Sequence, residues 1–303
     1  MDKFESMRAF VQVVEQEGFA AASRVMGMSR SAVNKLVINL ENELEVQLLH
    51  RTTRHVSPTE TGRAFYHRCI GILADVEEAE RSISQLHDEP RGTLRINAPL
   101  SFGMRHLSPA IAEFIQQYPD LTVQLTLDDR FVDPIEEGYD LNIRIAEPKE
   151  SPSLINQPLT PVRRVLCASP AYLKQRGIPN HPSELRQHSC LHYGYLATGN
   201  QWKLIGADEE YLILVKGAFC SNNGDALCDA AIQGLGIALL PTFIAGHALR
   251  EGQLHMVLPD YSPPPIHACI LYPVNRHLSA KVTLFSEFLQ TRFGDRPPWD
   301  ADL

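Results

Sequence analysis

The side chains best suited to contact another molecule lie in a short segment near the N-terminus. They are Ser29, Arg30, Ser31, Asn34 and Lys35. Their spacing places them on one face of a helix, away from the apolar positions. Asparagine can form two hydrogen bonds with adenine and arginine two with guanine, while serine and lysine reach bases or phosphates. The pattern therefore favours contact with duplex DNA.

Arg51 and Arg54 extend this basic region into a predicted turn. Cations there would hold DNA phosphates or enter the minor groove. Residues 24–68 carry seven lysines and arginines against four glutamates, whereas the whole chain has a net charge of −8. The sequence thus favours a reader of specific sites over a protein that coats nucleic acid. The alternative for each cation is an ordinary solvated surface residue.

Apolar periodicity predicts the helices that would position these side chains. A first helix over residues 4–14 buries one face and ends before Gly18, and a shorter helix covers 19–26. After a turn, a third helix over about 31–43 would present the polar face. Two short helices around a tight turn, followed by a basic wing over 51–57, form a unit that fits a major groove.

A longer helix is predicted to follow. It begins at Ser57-Pro58-Thr59-Glu60, with the serine as its cap and the proline in its first turn, and runs to about Leu86. Its apolar residues recur in steps of four and three, which is typical of a seam between paired helices. The alternative is a helix that packs on the core of its own domain. The predicted dimerisation residues are Phe65, Cys69, Ile72, Val76, Ala79 and Ile83.

Beyond a break at Glu89-Pro90-Arg91-Gly92, strands and helices alternate, which predicts an α/β fold. The predicted strands cover 93–98, 121–127, 141–145, 165–168, 237–240 and 266–272, and a closing helix covers 279–293.

Signatures of enzymes and metal sites are missing from the sequence. The motifs G-x-S-x-G, G-x-x-x-x-G-K and H-E-x-x-H do not occur. The six cysteines include no C-x-x-C pair, and His188, Cys190 and His192 would share a strand face without a fourth ligand. We therefore expect no enzymatic activity, no cofactor and no metal. No signal-peptide pattern and no bilayer-length apolar stretch are seen, so we expect a cytoplasmic protein without membrane contact.

The sequence resembles the LysR-type transcriptional regulators over nearly its whole length. In the N-terminal part the resemblance rests on Gly18-Phe19, Ala21-Ala22, Ser29, Ser31-Ala32-Val33, Leu40-Glu41, Arg51-Thr52-Thr53-Arg54 and Thr59-Glu60-Thr61-Gly62. In the C-terminal part it rests on Ala98-Pro99-Leu100-Ser101-Phe102-Gly103, Asp140-Leu141-Asn142-Ile143-Arg144, Leu166-Cys167-Ala168-Ser169-Pro170 and Gly234-Leu235-Gly236-Ile237. One departure is Glu45, where the family usually has glycine, so we expect a differently built turn.

The resemblance implies three parts. These are an all-α winged helix-turn-helix DNA-binding domain over 1–58, a linker and dimerisation helix over 59–90, and an effector-binding domain over 91–303. The last is similar to type 2 periplasmic binding proteins, with two α/β subdomains joined by crossover strands. The expected subdomains are about 91–163 with 268–303, and about 164–267.

The implied function is sequence-specific regulation of transcription, controlled by a small molecule bound between the subdomains. The implied partners are double-stranded promoter DNA, a small-molecule effector, and further copies of the chain in a homodimer or a homotetramer built as a dimer of dimers. Two alternatives remain: a small-molecule-binding protein whose DNA-binding half is vestigial, and an enzyme that uses the cleft.

The resemblance places the effector where helix N-termini and strand ends meet in that cleft. Backbone N–H groups at helix N-termini suit a carboxylate, which favours an organic acid. Asn222 and Asn223 precede such a helix and could equally cap it. Arg144, in an otherwise apolar strand, suggests either an acidic ligand or an internal salt bridge. The predicted effector-binding residues are Ser101, Phe102, Asp128, Arg130, Phe131, Asn222 and Asn223.

Overall fold

The chain forms two compact units. One comprises Met1–Pro90 with the segments Val132–Asp140 and Leu278–Ala280, and the other comprises the rest. The first is mainly helical and the second contains mixed α/β sheets, which confirms the predicted fold class. The computed structural model describes residues 2–51, 56–84, 90–130, 132–147, 153–194, 200–274, 279–295 and 297–301.

Three helices and a short hairpin build the core of the first unit. They are α1 (Lys3–Glu15), α2 (Phe19–Val25) and α3 (Arg30–Leu44), followed by β1 (Leu49–Arg51), β2 (Val56–Pro58) and the long helix α4 (Glu60–Ser84). Phe10, Val37 and Leu40 are almost completely buried in this core. Each such side chain stabilises the fold by roughly 1.5–3 kcal/mol. The predicted periodicity is confirmed at these positions, but Phe4 at the start of α1, which it also placed on the buried face, is 42% exposed.

The predicted start of α4 is wrong by two residues. Ser57 and Pro58 lie in β2, where they pair with His50 and Leu49 of β1. Thr59 caps the helix instead, because its Oγ1 accepts the N–H of Gly62 at 2.9 Å. Gly62 is required there, since a Cβ at this position would lie 1.9 Å from a backbone oxygen.

The second unit contains two five-stranded sheets and a separate hairpin. Its strands are β3 (Gly92–Ala98), β4 (Leu121–Leu127), β5 (Leu141–Ala146), β6 (Leu154–Val162), β7 (Arg164–Ala168), β8 (Cys190–Tyr193), β9 (Gln201–Ile205), β10 (Glu210–Leu214), β11 (Cys220–Ser221), β12 (Ile237–Pro241), β13 (His255–Val257) and β14 (Ile266–Pro273). The sheet orders are β4-β3-β5-β14-β6 and β11-β8-β12-β7-β13, and β9 pairs with β10. The chain thus passes to the second sheet after β6 and returns through β14.

Several of these strands were not predicted. β6 contains Pro158 and Pro161, which weaken a strand pattern, and it lies at the edge of its sheet, where proline is tolerated. The hairpin of β9 and β10 was also missed. Its alternation of buried and exposed residues extends over only five residues in each strand, which is too short to stand out in the sequence.

Helices flank the two sheets. They are α5 (Leu100–Phe102), continued by a π-helical turn (Gly103–Leu107) and α6 (Ser108–Gln117), then α8 (Pro170–Arg176), α9 (Gly224–Ile232), α10 (Thr242–Arg250) and α11 (Ala280–Phe293); the short α7 (Pro134–Glu137) belongs to the first unit. Phe114 of α6 packs edge-on against Phe285 of α11, with ring centroids 4.9 Å apart. Both side chains are fully buried, so this contact fixes α11 on the first sheet.

A second aromatic cluster joins the two halves of this unit. Phe102 contacts Phe243 of α10 at 5.5 Å between centroids, and Trp299 packs against both at 5.8 and 5.9 Å. His106 lies 4.5 Å from Trp299, and burial in this cluster lowers the pKa of its imidazole from 6.5 to about 4. His106 is therefore a neutral packing residue near neutral pH.

The turn after α3 places a glutamate in a conformation that suits glycine. Glu45 has φ +52° and ψ +31°, in the left-handed region. Its N–H is 3.3 Å from the Asn42 carbonyl, which it bonds to end the helix. Glu45 therefore adopts, at a steric cost, a conformation that glycine adopts freely.

We predict that Glu45→Gly stabilises the first unit by about 1 kcal/mol, because glycine adopts this conformation without steric cost. Urea unfolding of the full chain measures the change. Glu45→Ala is the matched control, since it removes the charge but keeps the Cβ. An equal gain in both variants would show that charge, rather than backbone strain, is responsible.

Candidate DNA-binding surface and effector cavity

The polar face of α3 is exposed over its first two turns. Ser29 caps the helix by accepting the Ala32 N–H at 3.2 Å, and its hydroxyl lies 3.0 Å from that of Ser31. Arg30 and Lys35 are exposed and form no ion pair with any described residue. This helix therefore presents two uncommitted cations beside serine hydroxyls.

Arg51 and Asn34, by contrast, contact each other within the domain. The Arg51 guanidinium donates to Asn34 Oδ1 at 2.9 Å, pairs with Glu41, and lies 5.3 Å from the centroid of the Phe19 ring. These contacts tie β1 to α2 and α3. These contacts could not be predicted from the sequence, because the partners are distant along the chain. Arg54 lies outside the described residues.

Glu41 holds this part of the domain together. Its side chain is only 12% exposed. One carboxylate oxygen accepts the N–H groups of Leu48 and Leu49 at 2.9 and 3.1 Å, and the other faces Arg51. The carboxylate thus orders the connection from α3 into β1.

The predicted dimerisation stripe on α4 divides into two parts. Cys69 is fully buried in the core of its own unit, and Phe65 packs 5.9 Å from the Phe10 ring in the same core. These two residues pack on the core of their own domain, as the alternative interpretation of this helix predicts. Ile72 is 38% exposed. Val76 is half-buried, and the side chains of Ala79 and Ile83 lie outside the described set.

A cavity of about 900 Å³ opens between the two five-stranded sheets. Its volume lies within the range of sites that bind small molecules. Apolar residues from both sheets and from the hairpin form most of its wall. They include Ile145, Trp202, Leu239, Ile244, Pro264 and Ile266.

Four of the seven predicted effector-binding residues line this cavity. Ser101, Phe102, Arg130 and Asn222 line it, although Phe102 is fully buried in the aromatic cluster. Asp128 is committed to Arg130, 2.7 Å away, and this contact holds the pKa of the carboxyl below its usual range. Phe131 lies outside the described residues.

Asn223 takes the capping role that was the alternative for it. Its Oδ1 accepts the N–H groups of Asp225 and Ala226 at 3.0 and 3.2 Å. Its Nδ2 donates to Ser101 Oγ at 3.3 Å and Asp129 Oδ2 at 3.1 Å, across the gap between the two subdomains. Asn223 and Ser101 therefore form hydrogen bonds that connect the two subdomains.

Arg164 and Tyr193, which we did not predict, are the polar residues of greatest interest in the wall. Arg164 Nη2 donates to the Pro264 carbonyl at 2.6 Å, and its Nε has no hydrogen-bond partner among the described residues. Partial burial lowers the pKa of this guanidinium. Tyr193 lies near enough for its phenol to interact with Arg164, and burial raises its pKa.

Arg144 donates hydrogen bonds to oxygen acceptors within its own subdomain. Its guanidinium donates to the side-chain oxygen of Asn97 and to the carbonyls of Ile143 and Arg130, the latter two at 2.8 and 3.1 Å. It also borders the cavity. Neutral oxygen acceptors thus hold this buried cation in place.

Other candidate sites have simpler explanations. The His188 ring bonds the Tyr172 hydroxyl, and Cys190 is buried in a core cluster. Within the described ranges no group of three or more histidine, cysteine, aspartate and glutamate side chains is placed to hold a metal ion. None of the described helices is long and apolar enough to cross a membrane.

Two protein-family descriptions match this chain. Residues 4–63 match the family described as “Bacterial regulatory helix-turn-helix protein, lysR family”. Residues 87–294 match the “LysR substrate binding domain”. The chain belongs to the LysR family of transcriptional regulators. It is thus a DNA-binding regulator whose activity a small-molecule effector modulates, in a family that is not generally enzymatic.

Individual relatives agree over the full length. A Haemophilus influenzae protein, an uncharacterized HTH-type transcriptional regulator, is 37% identical over 93% of this chain and 98% of its own. The HTH-type transcriptional regulator DmlR of Escherichia coli is 34% identical over 96% and 95%. Among solved structures, the Vibrio cholerae virulence activator AphB has a TM-score of 0.60 at 29% identity, over 95% of this chain and 98% of that one. CrgA of Neisseria meningitidis has a TM-score of 0.62 at 29% identity, over 96% and 99%.

We predict that Glu41→Gln destabilises the DNA-binding domain by about 1–3 kcal/mol, because a half-buried arginine and two amides lose a charged acceptor. Urea unfolding of the full chain measures the loss. The control is Glu43→Gln on the same helix, which breaks only the exposed pair with Lys3. That change should cost under about 1 kcal/mol. Equal losses would contradict the role given to Glu41.

Proposed function

We propose that this LysR-family regulator reads promoter DNA through the first two turns of α3, and that its effector is an organic acid bound by Arg164. One observation carries both parts. Arg30, Lys35 and Arg164 have no anion within ion-pair distance among the described residues. Cations left without a partner on a DNA-binding helix and in a ligand cavity are matched by phosphates and by a carboxylate.

On the DNA side, Ser29, Arg30, Ser31 and Lys35 form the contact surface. Arg30 is placed for guanine recognition and Lys35 for phosphate or base contact. Asn34 and Arg51 can take part only by exchanging their mutual hydrogen bond for contacts to DNA. We assign residues 1–58 to the DNA-binding domain, 59–90 to the linker helix and 91–303 to the effector domain.

Oligomerisation completes the DNA-binding unit. The exposed Ile72 and half-buried Val76 continue the α4 stripe beyond the residues that pack on the domain core. We propose that this part of α4 pairs with a second copy of the chain, giving a dimer or a dimer of dimers. Such a regulator works beside DNA in the cytoplasm and performs no catalytic step.

On the effector side, we assign anion binding to Arg164 rather than to the helix N-termini that the sequence suggested. The first amides of α9 are already bonded to Asn223. α5 is only three residues long. Among the described residues, half-buried Arg164 donates a hydrogen bond only to the Pro264 carbonyl, so a carboxylate in the cavity would recover part of the free energy lost in burying this charge.

We predict that selection from a random duplex library by the purified protein enriches an interrupted palindrome, as expected for a dimer with two α3 helices in successive major grooves. Arg30→Glu or Lys35→Glu should abolish specific binding while leaving the thermal midpoint unchanged. The control is Lys174→Glu, the same charge change on exposed α8 in the effector domain. Weak, salt-sensitive binding without enrichment would instead support a small-molecule-binding protein with a vestigial DNA-binding half.

We also predict that organic acids raise the thermal midpoint of the protein more than neutral amides of the same shape do, because only the acids pair with Arg164. Arg164→Gln should remove this difference. A screen in which neutral compounds alone stabilise the protein would contradict the proposal.

A further inference from the structure

We propose that the effector carries a single carboxylate on an apolar body, with the carboxylate between Arg164 and the Tyr193 hydroxyl. This inference rests on the organic-acid proposal and narrows it to one class, the monocarboxylates of aromatic or branched aliphatic compounds. It excludes dicarboxylates and amino acids as the preferred ligands.

The charges around the cavity allow one anion only. Four lysine and arginine side chains line it, and three of them are engaged elsewhere. Arg130 pairs with Asp128 at 2.7 Å, Lys203 pairs with Glu210 at 2.8 Å, and Arg144 is held by neutral oxygens. Arg164 remains as the cation that can receive a carboxylate.

A second carboxylate would meet unfavourable surroundings. The carboxyl groups of Asp129 and Glu147 also line the cavity. Asp129 already accepts the Leu100 N–H at 3.0 Å and the Asn223 amide. A second anionic group would therefore lose its hydration without gaining a cation, which opposes its binding.

Tyr193 supplies the second donor. Its hydroxyl forms no hydrogen bond with any described residue, although the side chain lines the cavity. The hydroxyl lies against Gly224, where a Cβ would come within 2.3 Å of it. Gly224 thus leaves the phenol room beside the start of α9, on the wall that it shares with Arg164.

The rest of the wall suits an apolar body. Trp202 comes from the hairpin, Leu239 and Ile244 from the second subdomain, and Ile266 from the returning strand. Trp202 is 5% exposed, so its indole forms part of a packed surface. Apolar surface enclosed on several sides binds a hydrocarbon body and rejects hydroxyl or ammonium groups that would lose water there.

The two tryptophans of the chain permit a direct test. Trp299→Phe leaves Trp202 as the single fluorophore, and phenylalanine keeps the aromatic cluster filled. This variant is titrated with benzoate, hexanoate, succinate, leucine and benzamide, with the fluorescence of Trp202 as the readout. The thermal midpoint of the unaltered protein with each compound checks that the substitution is innocuous.

We expect benzoate and hexanoate to bind at least about tenfold more tightly than succinate, leucine and benzamide. Preference for succinate or leucine would overturn the inference and leave the organic-acid proposal standing. Equal binding of benzamide would overturn both. No response to any of the five at millimolar concentrations would overturn the inference.

Substitutions then locate the carboxylate. Arg164→Gln should lower the benzoate affinity about tenfold or more and leave benzamide unchanged, while Arg164→Lys should restore part of the loss. Tyr193→Phe removes only the hydroxyl and should weaken benzoate several-fold. The control is Arg163→Gln, an exposed neighbour outside this cavity. Unchanged benzoate affinity in Arg164→Gln would place the carboxylate elsewhere.

Discussion

The hydrogen bond from Arg164 to the Pro264 carbonyl joins the two segments that pass between the sheets of the effector domain. One segment leads from β6 into β7, and the other leads into β14. Because both crossings lie side by side, the two subdomains meet along one line and leave a cavity beside it. The same guanidinium that joins these two segments also lines the cavity. A ligand that pairs with Arg164 therefore acts directly on the connection between the subdomains.

Among the described residues, some lysine and arginine side chains pair with internal acceptors and others do not. In the DNA-binding domain Glu41 neutralises Arg51, while Arg30 and Lys35 stay exposed on α3. In the effector domain Arg130 pairs with a neighbouring carboxylate, while Arg164 forms no ion pair with a described residue, although Glu147 is near enough to act on it electrostatically. Half-buried Arg164 has lost part of its hydration without an ion pair to a described carboxylate, so an anion in the cavity would stabilise it.

Contacts of two kinds hold the subdomains together beside the cavity. Polar contacts form one set, with Asn223 reaching Asp129 and with Arg105 and Asp225 paired at 2.7 Å. The Arg105–Asp225 pair is partly exposed, and such pairs contribute at most about 1 kcal/mol. The buried aromatic cluster around Phe102 forms the other set. The exposed polar pair therefore contributes less to holding the subdomains together than the buried aromatic cluster does.

Helices with a clear apolar periodicity can be located from the sequence alone. Apolar periodicity located α1 and α3 and the polar face of α3, because helical spacing depends on neighbours three and four residues apart. The folded structure is needed to see which polar groups form hydrogen bonds or ion pairs within the protein. Arg51 meets Glu41, Asn223 meets Asp129 across 94 residues, and Arg164 meets Pro264 across 100. Hydrogen bonds and burial depend on which residues are close in space, and a single sequence does not show which distant residues come together.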